Sequence, residues 1–435
     1  MEMLQTYDLN IMSSINFLIL QVVVLRKKLG VNSATLLLLV IIMPSDKQTA
    51  RILKRIRALR KQLLERIEKH KVEVPKDAIK VTRKSRDILH REIHELMSKI
   101  YSSILNSEIP EFVYPSRDRK NVIYDPAQDV IFLKRVFRRS SLGSLQSVRK
   151  ATILARILDI VHELLEEDIH ATKREVFYND VVLFETQRDS DEALEDVAAM
   201  MQVDRWSLHV VASAKGAVIG RLRFREGRDI IDCTRMGTGG KAITPLIDTV
   251  EILDSDAEFI LVVEKEAAFI RLSEDRFYDK YPCIIITGKG QADIGTRAFL
   301  KLLVKELKLP VFGLVDSDPY GLHILLVYAV GSKRLSYESQ FLVTPDIKWL
   351  GVRPSDLDKY NVPKDVRIPL SPRDRLRAQQ LLNEPFIQVR PKYVEEIKLM
   401  LKTKEKAEIQ ALASKGFRFL TQKYLPSKLE TGDWI

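Results

Sequence analysis

The sequence predicts a multidomain α/β protein in which a helical domain with a β-hairpin precedes a domain built on a parallel sheet. Three apolar runs rich in β-branched residues, at 259–263, 283–286 and 311–315, predict buried strands. Helical segments near 265–280 and 291–308 lie between these runs. A strand–helix–strand–helix–strand order places three parallel strands in one sheet, with their carboxyl ends at one edge.

Upstream of this sheet, the pattern predicts a smaller domain. Helices are expected at about 153–165 and 190–202, and the β-rich halves of 206–223 flank Ser213-Ala214-Lys215-Gly216. Helices followed by a glycine-turned hairpin are typical of a winged-helix (CAP-like) DNA-binding domain. We expect this domain to span 144–224.

The first 43 residues form a segment of doubtful status. Their two apolar runs, Ile15–Leu25 and Leu36–Met43, are separated by Arg26-Lys27-Lys28. Neither run approaches the ~20 residues that span a bilayer. An over-long start, with Met43 as the true first residue, is favoured over a signal peptide because the basic residues do not precede the first apolar run. No membrane association is expected.

A basic helical region is predicted for residues 44–143. Apolar residues recur at helical spacing from Ile52 to Ile67, which marks an amphipathic helix. This helix could pack on a partner helix, on the rest of the chain or along DNA. Pro110 and Pro115 predict a non-helical link.

Composition bounds the class of protein. With 435 residues and 46% hydrophobic residues, the chain can form two or three folded domains and is not a disordered tail. A net charge of +11 favours a polyanionic partner such as DNA, although generic solubility is an alternative. The two cysteines form no C-x-x-C motif and the seven histidines show no metal-ligand spacing, so neither a zinc site nor a disulfide framework is expected. We therefore expect a cytoplasmic, nucleoid-associated location.

Thr172 to Asp180 carry the first chemical signal. Thr172 and Glu175 form a T-x-x-E capping box, which predicts that a helix begins there. Arg174 and Tyr178 lie four residues apart and so share one face near the positive N-terminal end of that helix. This face would attract a phosphodiester, which a tyrosine hydroxyl can attack. A packing role for Tyr178 is the alternative.

Acidic residues carry the second signal. Glu264 follows the first predicted strand, and Asp316 and Asp318 follow the third. Because these strand ends meet at one sheet edge, the three carboxylates are expected to converge. Carboxylates without histidine or cysteine suit a hard cation, and Mg²⁺ is expected because it handles phosphates. Ordinary solvation of the strand ends is the alternative.

The E…D-x-D pattern resembles a Toprim domain, the metal-binding module of topoisomerases, bacterial-type primases and some nucleases. Together with Arg174-Glu175-Val176-Phe177-Tyr178, it resembles the A-subunit family of topoisomerase VI, the type IIB enzyme of archaea, and its meiotic double-strand-break relatives. The resemblance covers roughly 120–435 and includes Thr287–Gln291, Asp316–Gly321 and the ending Phe419–Ile435. Two positions depart from the family pattern. Ala292 stands where proline is expected, and Phe177 stands where a second tyrosine is common.

The resemblance implies a Toprim domain with C-terminal elaborations at 225–435. It also makes Tyr178 the nucleophile, Arg174 its neighbour at the scissile phosphate, and three acids the Mg²⁺ ligands: Glu264, Asp316 and Asp318. A tyrosine that forms a 5′-phosphotyrosyl link conserves the bond energy for resealing. Because one tyrosine cuts one strand, a double-strand break requires two copies, hence a homodimer.

The resemblance further implies a GHKL-type ATPase B subunit within an A₂B₂ heterotetramer. ATP must be bound by that partner, since no nucleotide-binding signature is found here. The leading hypothesis is therefore the DNA-cleaving subunit of an ATP-dependent topoisomerase that relaxes supercoils. Alternatives are a dedicated recombination break-former, a Toprim nuclease or primase-like hydrolase, and a non-catalytic DNA-binding scaffold. Supercoil preference and cleavage-site sequence stay open.

Overall fold

The computed structural model describes residues 44–69, 73–211 and 215–435. The predictions for residues 1–43, and for the first half of the predicted turn at 213–216, lie outside the described residues. No helix in the described parts of the chain is long and apolar enough to cross a membrane.

Fifteen α-helices are present in the described residues. In chain order they are α1 Pro44–Lys69, α2 Arg86–Leu105, α3 Val148–Glu167, α4 Lys173–Asn179, α5 Val181–Phe184, α6 Gln187–Met200, α7 Glu266–Glu274, α8 Phe277–Lys280, α9 Ile294–Leu307, α10 Pro319–Ala329, α11 Pro354–Lys359, α12 Pro372–Leu382, α13 Pro385–Gln388, α14 Pro391–Thr403 and α15 Leu425–Thr431.

The same residues form seventeen strands. They are β1 Glu111–Pro115, β2 Val122–Asp125, β3 Val130–Leu133, β4 Phe137–Ser141, β5 Ala171–Thr172, β6 Val210–Val211, β7 Ala217–Gly220, β8 Arg223–Glu226, β9 Asp229–Asp232, β10 Lys241–Ala242, β11 Val250–Asp254, β12 Phe259–Val263, β13 Cys283–Thr287, β14 Val311–Leu314, β15 Lys348–Gly351, β16 Ile368–Pro369 and β17 Glu405–Lys406.

A six-stranded sheet organises the C-terminal half. Its strand order is β10-β7-β13-β12-β14-β15, with β12 parallel to both β13 and β14. The three predicted strands are therefore confirmed as parallel neighbours. Apolar clusters cover both faces of this sheet, which explains why its central strands are apolar throughout. The parallel register brings the ends of β12 and β14 side by side, and Val263 pairs with Leu314.

The predicted hairpin within 206–223 is wrong. Its first half contains β6, which pairs with β5, whereas its second half contains β7, which pairs antiparallel with β13. All four residues of β7 are buried in the large sheet, and an exposed two-stranded wing would not remove as much apolar surface from water. The large sheet thus begins before the predicted domain boundary at 224. The winged-helix assignment stays a prediction.

The region 44–143 is not wholly helical, which corrects the prediction for it. Helices α1 and α2 are present, but four strands follow, with β1 antiparallel to β4 and β2 antiparallel to β3. Alternation explains β1, because Phe112 and Tyr114 are buried while Val113 between them is exposed. The link after Pro110 is non-helical, as predicted.

Helix α1 packs on the rest of the chain. Ile52 and Ile56 are fully buried in the core that also holds Leu425 and Leu429 from the C-terminal helix α15. Glu430 fixes this contact, since its carboxylate accepts hydrogen bonds from α1 side chains at 2.9 and 3.1 Å. Of the three partners that the sequence left open, the structure thus shows an intramolecular one.

Candidate active site

Helix α4 carries the predicted nucleophile and begins at the predicted capping box. Thr172 Oγ1 accepts a hydrogen bond from Glu175 N at 3.3 Å, and Glu175 Oε2 accepts one from Thr172 N at 2.6 Å. The hydrogen bond from the Thr172 amide is the first cause that lowers the pKa of the Glu175 carboxyl. The reciprocal cap satisfies two amides at a helix start, so it fixes where this seven-residue helix begins.

One face of α4 is anchored to the protein. Val176 is buried, and Lys173 Nζ lies 3.0 Å from Glu195 Oε1 and 3.3 Å from Asp191 Oδ2 on α6. At the other end of the helix, Asn179 Oδ1 accepts a hydrogen bond from an arginine of α3 at 2.7 Å. The helix is therefore held along its back and at its C-terminal end.

The opposite face carries Arg174 and Tyr178, as predicted. Both side chains are exposed, and 64% of the Tyr178 surface is accessible. The Tyr178 ring contacts that of Phe177, with 5.4 Å between ring centroids. Within the described residues, neither the Arg174 guanidinium nor the Tyr178 hydroxyl has a hydrogen-bond or ion-pair partner. A packing role does not account for so exposed a tyrosine, and both groups are available to a ligand.

Glu264 and Asp316 lie at the edge where β12 and β14 end. Glu264 Oε2 accepts a hydrogen bond from Asp316 N at 2.8 Å, which ties the first acid to the backbone of the second. Gly321 completes this packing, because a Cβ there would lie 2.5 Å from the Asp316 carbonyl oxygen and 3.0 Å from Glu264 Oε2. The glycine of the Asp316–Gly321 motif is thus required by close approach.

Asp316 is buried and bonded through both oxygens. Its Oδ1 accepts a hydrogen bond from Ile409 N at 2.8 Å, and its Oδ2 lies 2.9 Å from Lys265 Nζ. The same ammonium lies 2.9 Å from Glu408 Oε2. Burial acts to lower the pKa of Lys265, but its bonds to Glu408 and Asp316 prevail and raise it. The sequence did not predict these contacts, since Glu408 and Ile409 lie far from Lys265 and Asp316 along the chain.

Asp318 is the N-cap residue of α10. Its Oδ1 accepts hydrogen bonds from Tyr320 N at 2.9 Å and Gly321 N at 2.7 Å, so it caps the helix. Burial and the carboxylates of Asp316 and Asp318 raise the pKa of Glu264 to about 7. Burial is also the first cause that raises the pKa of Asp316. The three acids are therefore neighbours that repel one another.

The donor set fits a hard cation in its chemistry, because three carboxylates supply only oxygen ligands. The fit is not complete in geometry. Among the described residues, the one set of three possible metal-binding side chains whose ligand atoms all lie within 4.8 Å of one another consists of His90, His162 and Glu166. Glu264, Asp316 and Asp318 do not converge that closely, since backbone amides and Lys265 hold their oxygens. Their role as metal ligands stays a prediction.

Several basic side chains near α4 are paired with acids. Arg117 contacts Glu195 and Asp196, each at 2.7 Å. Lys150 lies 2.5 Å from Asp196, and Arg149 lies 3.2 Å from Asp189. These cations are engaged within the chain, so a count of basic residues in this region overstates the positive groups that are free to meet DNA.

Comparisons with known proteins identify the family of this chain. Residues 259–429 match the family model for the Toprim domain of the topoisomerase 6 A subunit and Spo11, and residues 149–210 match that for type IIB DNA topoisomerase. The chain is 53% identical to the A subunit of DNA topoisomerase 6 from Arabidopsis thaliana, over 79% of its own length and 81% of the relative.

More distant relatives are similar over equally long regions. Identity is 36% to the meiotic recombination protein SPO11 of Mus musculus, over 86% of this chain and 95% of the relative. Identity is 35% to the A subunit of type 2 DNA topoisomerase 6 from Aeropyrum pernix, over 82% of this chain and 97% of the relative. The plant protein is more similar than this archaeal one, so an archaeal source gains little support. The chain belongs to the family of type IIB DNA topoisomerases that comprises the topoisomerase 6 A subunits and SPO11.

Proposed function

We propose that this chain is the DNA-cleaving and rejoining subunit of an ATP-dependent type IIB topoisomerase, with Tyr178 as nucleophile. The observation that carries the proposal is the exposed, unpartnered face of α4, where Arg174 and Tyr178 project from a helix anchored on its other side. Within the described residues, a substrate phosphate can approach this face without breaking an intramolecular bond.

In the proposed step, Tyr178 Oη forms a bond to phosphorus while the bond from phosphorus to the 3′ oxygen breaks. The tyrosine proton is released, the 3′ hydroxyl leaves, and the 5′ end stays covalently bound to the protein. Arg174 stabilises charge on the phosphoryl oxygens. When bound by Glu264, Asp316 and Asp318, Mg²⁺ supplies further positive charge beside the phosphate. Reversal of the same exchange reseals the strand.

The proposed homodimer rests on this chemistry, and the proposed ATPase partner rests on the family resemblance. One Tyr178 cuts one strand, so a homodimer is needed for a double-strand break, and a GHKL-type ATPase B subunit completing an A₂B₂ heterotetramer would supply the ATP-driven step. A cytoplasmic, nucleoid-associated location belongs to the same proposal. The two free cysteines are buried, which is compatible with a reducing compartment.

The direct test is covalent capture. The chain, an ATPase B subunit, Mg²⁺, an ATP analogue and DNA labelled at its 3′ ends are incubated and then denatured. We expect labelled DNA to be attached to the protein through a 5′ phosphate, with tyrosine as the linked residue. Release of free 5′-phosphate ends without an adduct would instead support a hydrolytic nuclease.

Mixing two inactive variants tests how the active sites are shared. If Tyr178 of one protomer acts with the acids of the other, a mixed dimer of Tyr178→Phe and Glu264→Ala chains has one intact site. Single-strand nicks are then expected although neither variant cuts alone. An inactive mixture, with mixed dimers demonstrated, would place each site within one protomer.

A dedicated recombination break-former is the second candidate, because the chain is also similar to SPO11 proteins over most of its length. Both candidates use the same residues. Relaxation or decatenation that requires the ATPase partner supports the topoisomerase, whereas adduct formation without strand passage supports the break-former.

A further inference from the structure

A cluster on the N-terminal helices lies outside the proposed active site. His90 on α2 and His162 and Glu166 on α3 each offer one possible ligand atom, and these atoms all lie within 4.8 Å of one another. The two imidazole rings are stacked with 4.1 Å between centroids, and His162 Nδ1 lies 4.0 Å from Glu166 Oε2. Spacing along the chain predicted no histidine metal site, because His90 is remote from the other two residues, whereas the fold brings the three side chains together.

One nitrogen in this cluster has no structural explanation. His90 Nε2 is buried and has no hydrogen-bond partner among the described residues. Buried polar atoms are rarely left unpaired, since a buried group without a partner loses the hydrogen bonds that it made to water. The unpartnered nitrogen is thus one indication of a bound group, and the nearness of the three possible ligand atoms is a second, independent one.

We infer that His90, His162 and Glu166 form a site for a transition-metal ion, with Zn²⁺ as the expected occupant. Imidazole nitrogen suits Zn²⁺ and disfavours Mg²⁺, so this site differs in kind from the all-oxygen acids at the sheet edge. Bonds of about 2.0–2.2 Å would bring tetrahedral ligand atoms to roughly 3.5 Å from one another, which rotations of the stacked rings can achieve. Three protein ligands leave the fourth position to water.

The backbone already supports such a site. His162 and Glu166 are four residues apart and so lie on one face of α3. Arg86 Nη1, one turn before His90, lies 3.6 Å from Asp168 Oδ2 just after α3, which is a further contact between the two helices. A bound ion would cross-link α2 to α3 shortly before the Thr172 cap. This inference does not depend on the proposed chemistry of Tyr178.

Zinc binding by the full chain tests the inference. The chelator-treated protein is titrated with Zn²⁺ in excess Mg²⁺, which occupies any hard-cation site at the acids. One tight Zn²⁺ per chain is expected, and His90→Gln or His162→Gln should weaken it by ~100-fold or more. His94→Gln is the matched control, because His94 is an exposed histidine one turn further along α2 and should leave the affinity unchanged.

Two further measurements keep the test decisive if a variant folds poorly. In the wild-type chain, Zn²⁺ should raise the melting temperature, and Co²⁺ should give the visible absorption of a nitrogen- and oxygen-ligated site without a thiolate charge-transfer band. Absence of tight Zn²⁺ binding by the wild-type chain, undiminished binding by well-folded His90→Gln and His162→Gln chains, or a thiolate band would each overturn the inference. Loss of adduct formation by Tyr178→Phe with zinc binding intact separates this site from the proposed function.

Discussion

The tyrosine helix and the acidic sheet edge are built in opposite ways. Arg174 and Tyr178 have no hydrogen-bond or ion-pair partner in the described parts of the chain. By contrast, each of the three acids accepts a hydrogen bond from a backbone amide: Glu264, Asp316 and Asp318. The first region is positioned by its anchored back and leaves its reactive face free. The second region is held by its own functional groups. A substitution at Tyr178 should therefore change activity without changing stability, whereas a substitution at the acids should change both.

The largest effect is expected for substitution of Tyr178 on the exposed face of α4. Tyr178→Phe removes one exposed oxygen, so it should abolish the covalent adduct while changing the free energy of unfolding by less than about 0.5 kcal/mol. Adduct on a denaturing gel and urea unfolding are the two measurements. Tyr101→Phe is the matched control, because Tyr101 is 63% exposed, almost the same as Tyr178. Normal adduct formation by Tyr178→Phe would remove the nucleophile assignment.

The acids should show a smaller loss of activity coupled to a loss of stability. Alanine at Glu264, Asp316 or Asp318 should reduce Mg²⁺-dependent cleavage on the order of 10². Asp316→Ala should also lower the free energy of unfolding by roughly 1–3 kcal/mol, because Ile409 N and Lys265 lose their buried acceptor.

Glu408→Ala is the control for the acids, since Glu408 contacts the same lysine from an exposed position. Cleavage rates at limiting Mg²⁺ should then fall for the three acids and stay within a few-fold for Glu408→Ala. Wild-type cleavage by all three acid variants would place the metal elsewhere and break the contrast between the two regions.

The sequence was sufficient for the features that depend on local pattern. Apolar runs predicted β12, β13 and β14, and the capping box at Thr172 predicted the start of α4 and the shared face of Arg174 and Tyr178. These features follow from strand and helix periodicity and from bonds between residues at most four apart. The family pattern added the roles of the site residues, which periodicity alone does not assign.

Long-range pairing explains what the sequence did not predict. Ala217–Gly220 pairs with Cys283–Thr287, which is distant along the chain, whereas proximity along the chain suggested a hairpin. Lys265 is fixed by Glu408, and Asp316 by Ile409, through a segment that only the tertiary fold brings close. Neither contact leaves a periodic signal, so the tightness of the acidic edge could not be predicted.

A third test uses pH in the metal-free chain. Because burial and nearby carboxylates raise the pKa of Glu264 to about 7, the native state holds a proton there that the unfolded chain releases near its ordinary, lower pKa. This contribution to stability is fully present below the unfolded pKa and is lost as pH rises through about 7, with a size of roughly 1–3 kcal/mol.

Urea unfolding at about pH 5 and pH 8 should therefore show a decrease with rising pH that Glu264→Gln reduces. Mg²⁺ should bind more tightly at the higher pH, because the ligand must be deprotonated. An identical pH dependence in wild type and Glu264→Gln would show that other groups dominate and that the acids are less strongly coupled than their hydrogen bonds indicate.

The smallest effect concerns the cap that aims the tyrosine. Thr172→Ala removes the acceptor of Glu175 N and should lower the free energy of unfolding by about 1 kcal/mol. Thr186→Ala is the matched control, because Thr186 also caps a helix. Its Oγ1 accepts a hydrogen bond from Asp189 N at 3.2 Å at the start of the next long helix, α6. If the cap at the start of α4 helps to position Tyr178, the two variants should lose similar stability while only Thr172→Ala slows adduct formation, by several-fold. Equal rates in a single-turnover cleavage assay would show instead that bound DNA orders the tyrosine helix without help from its cap.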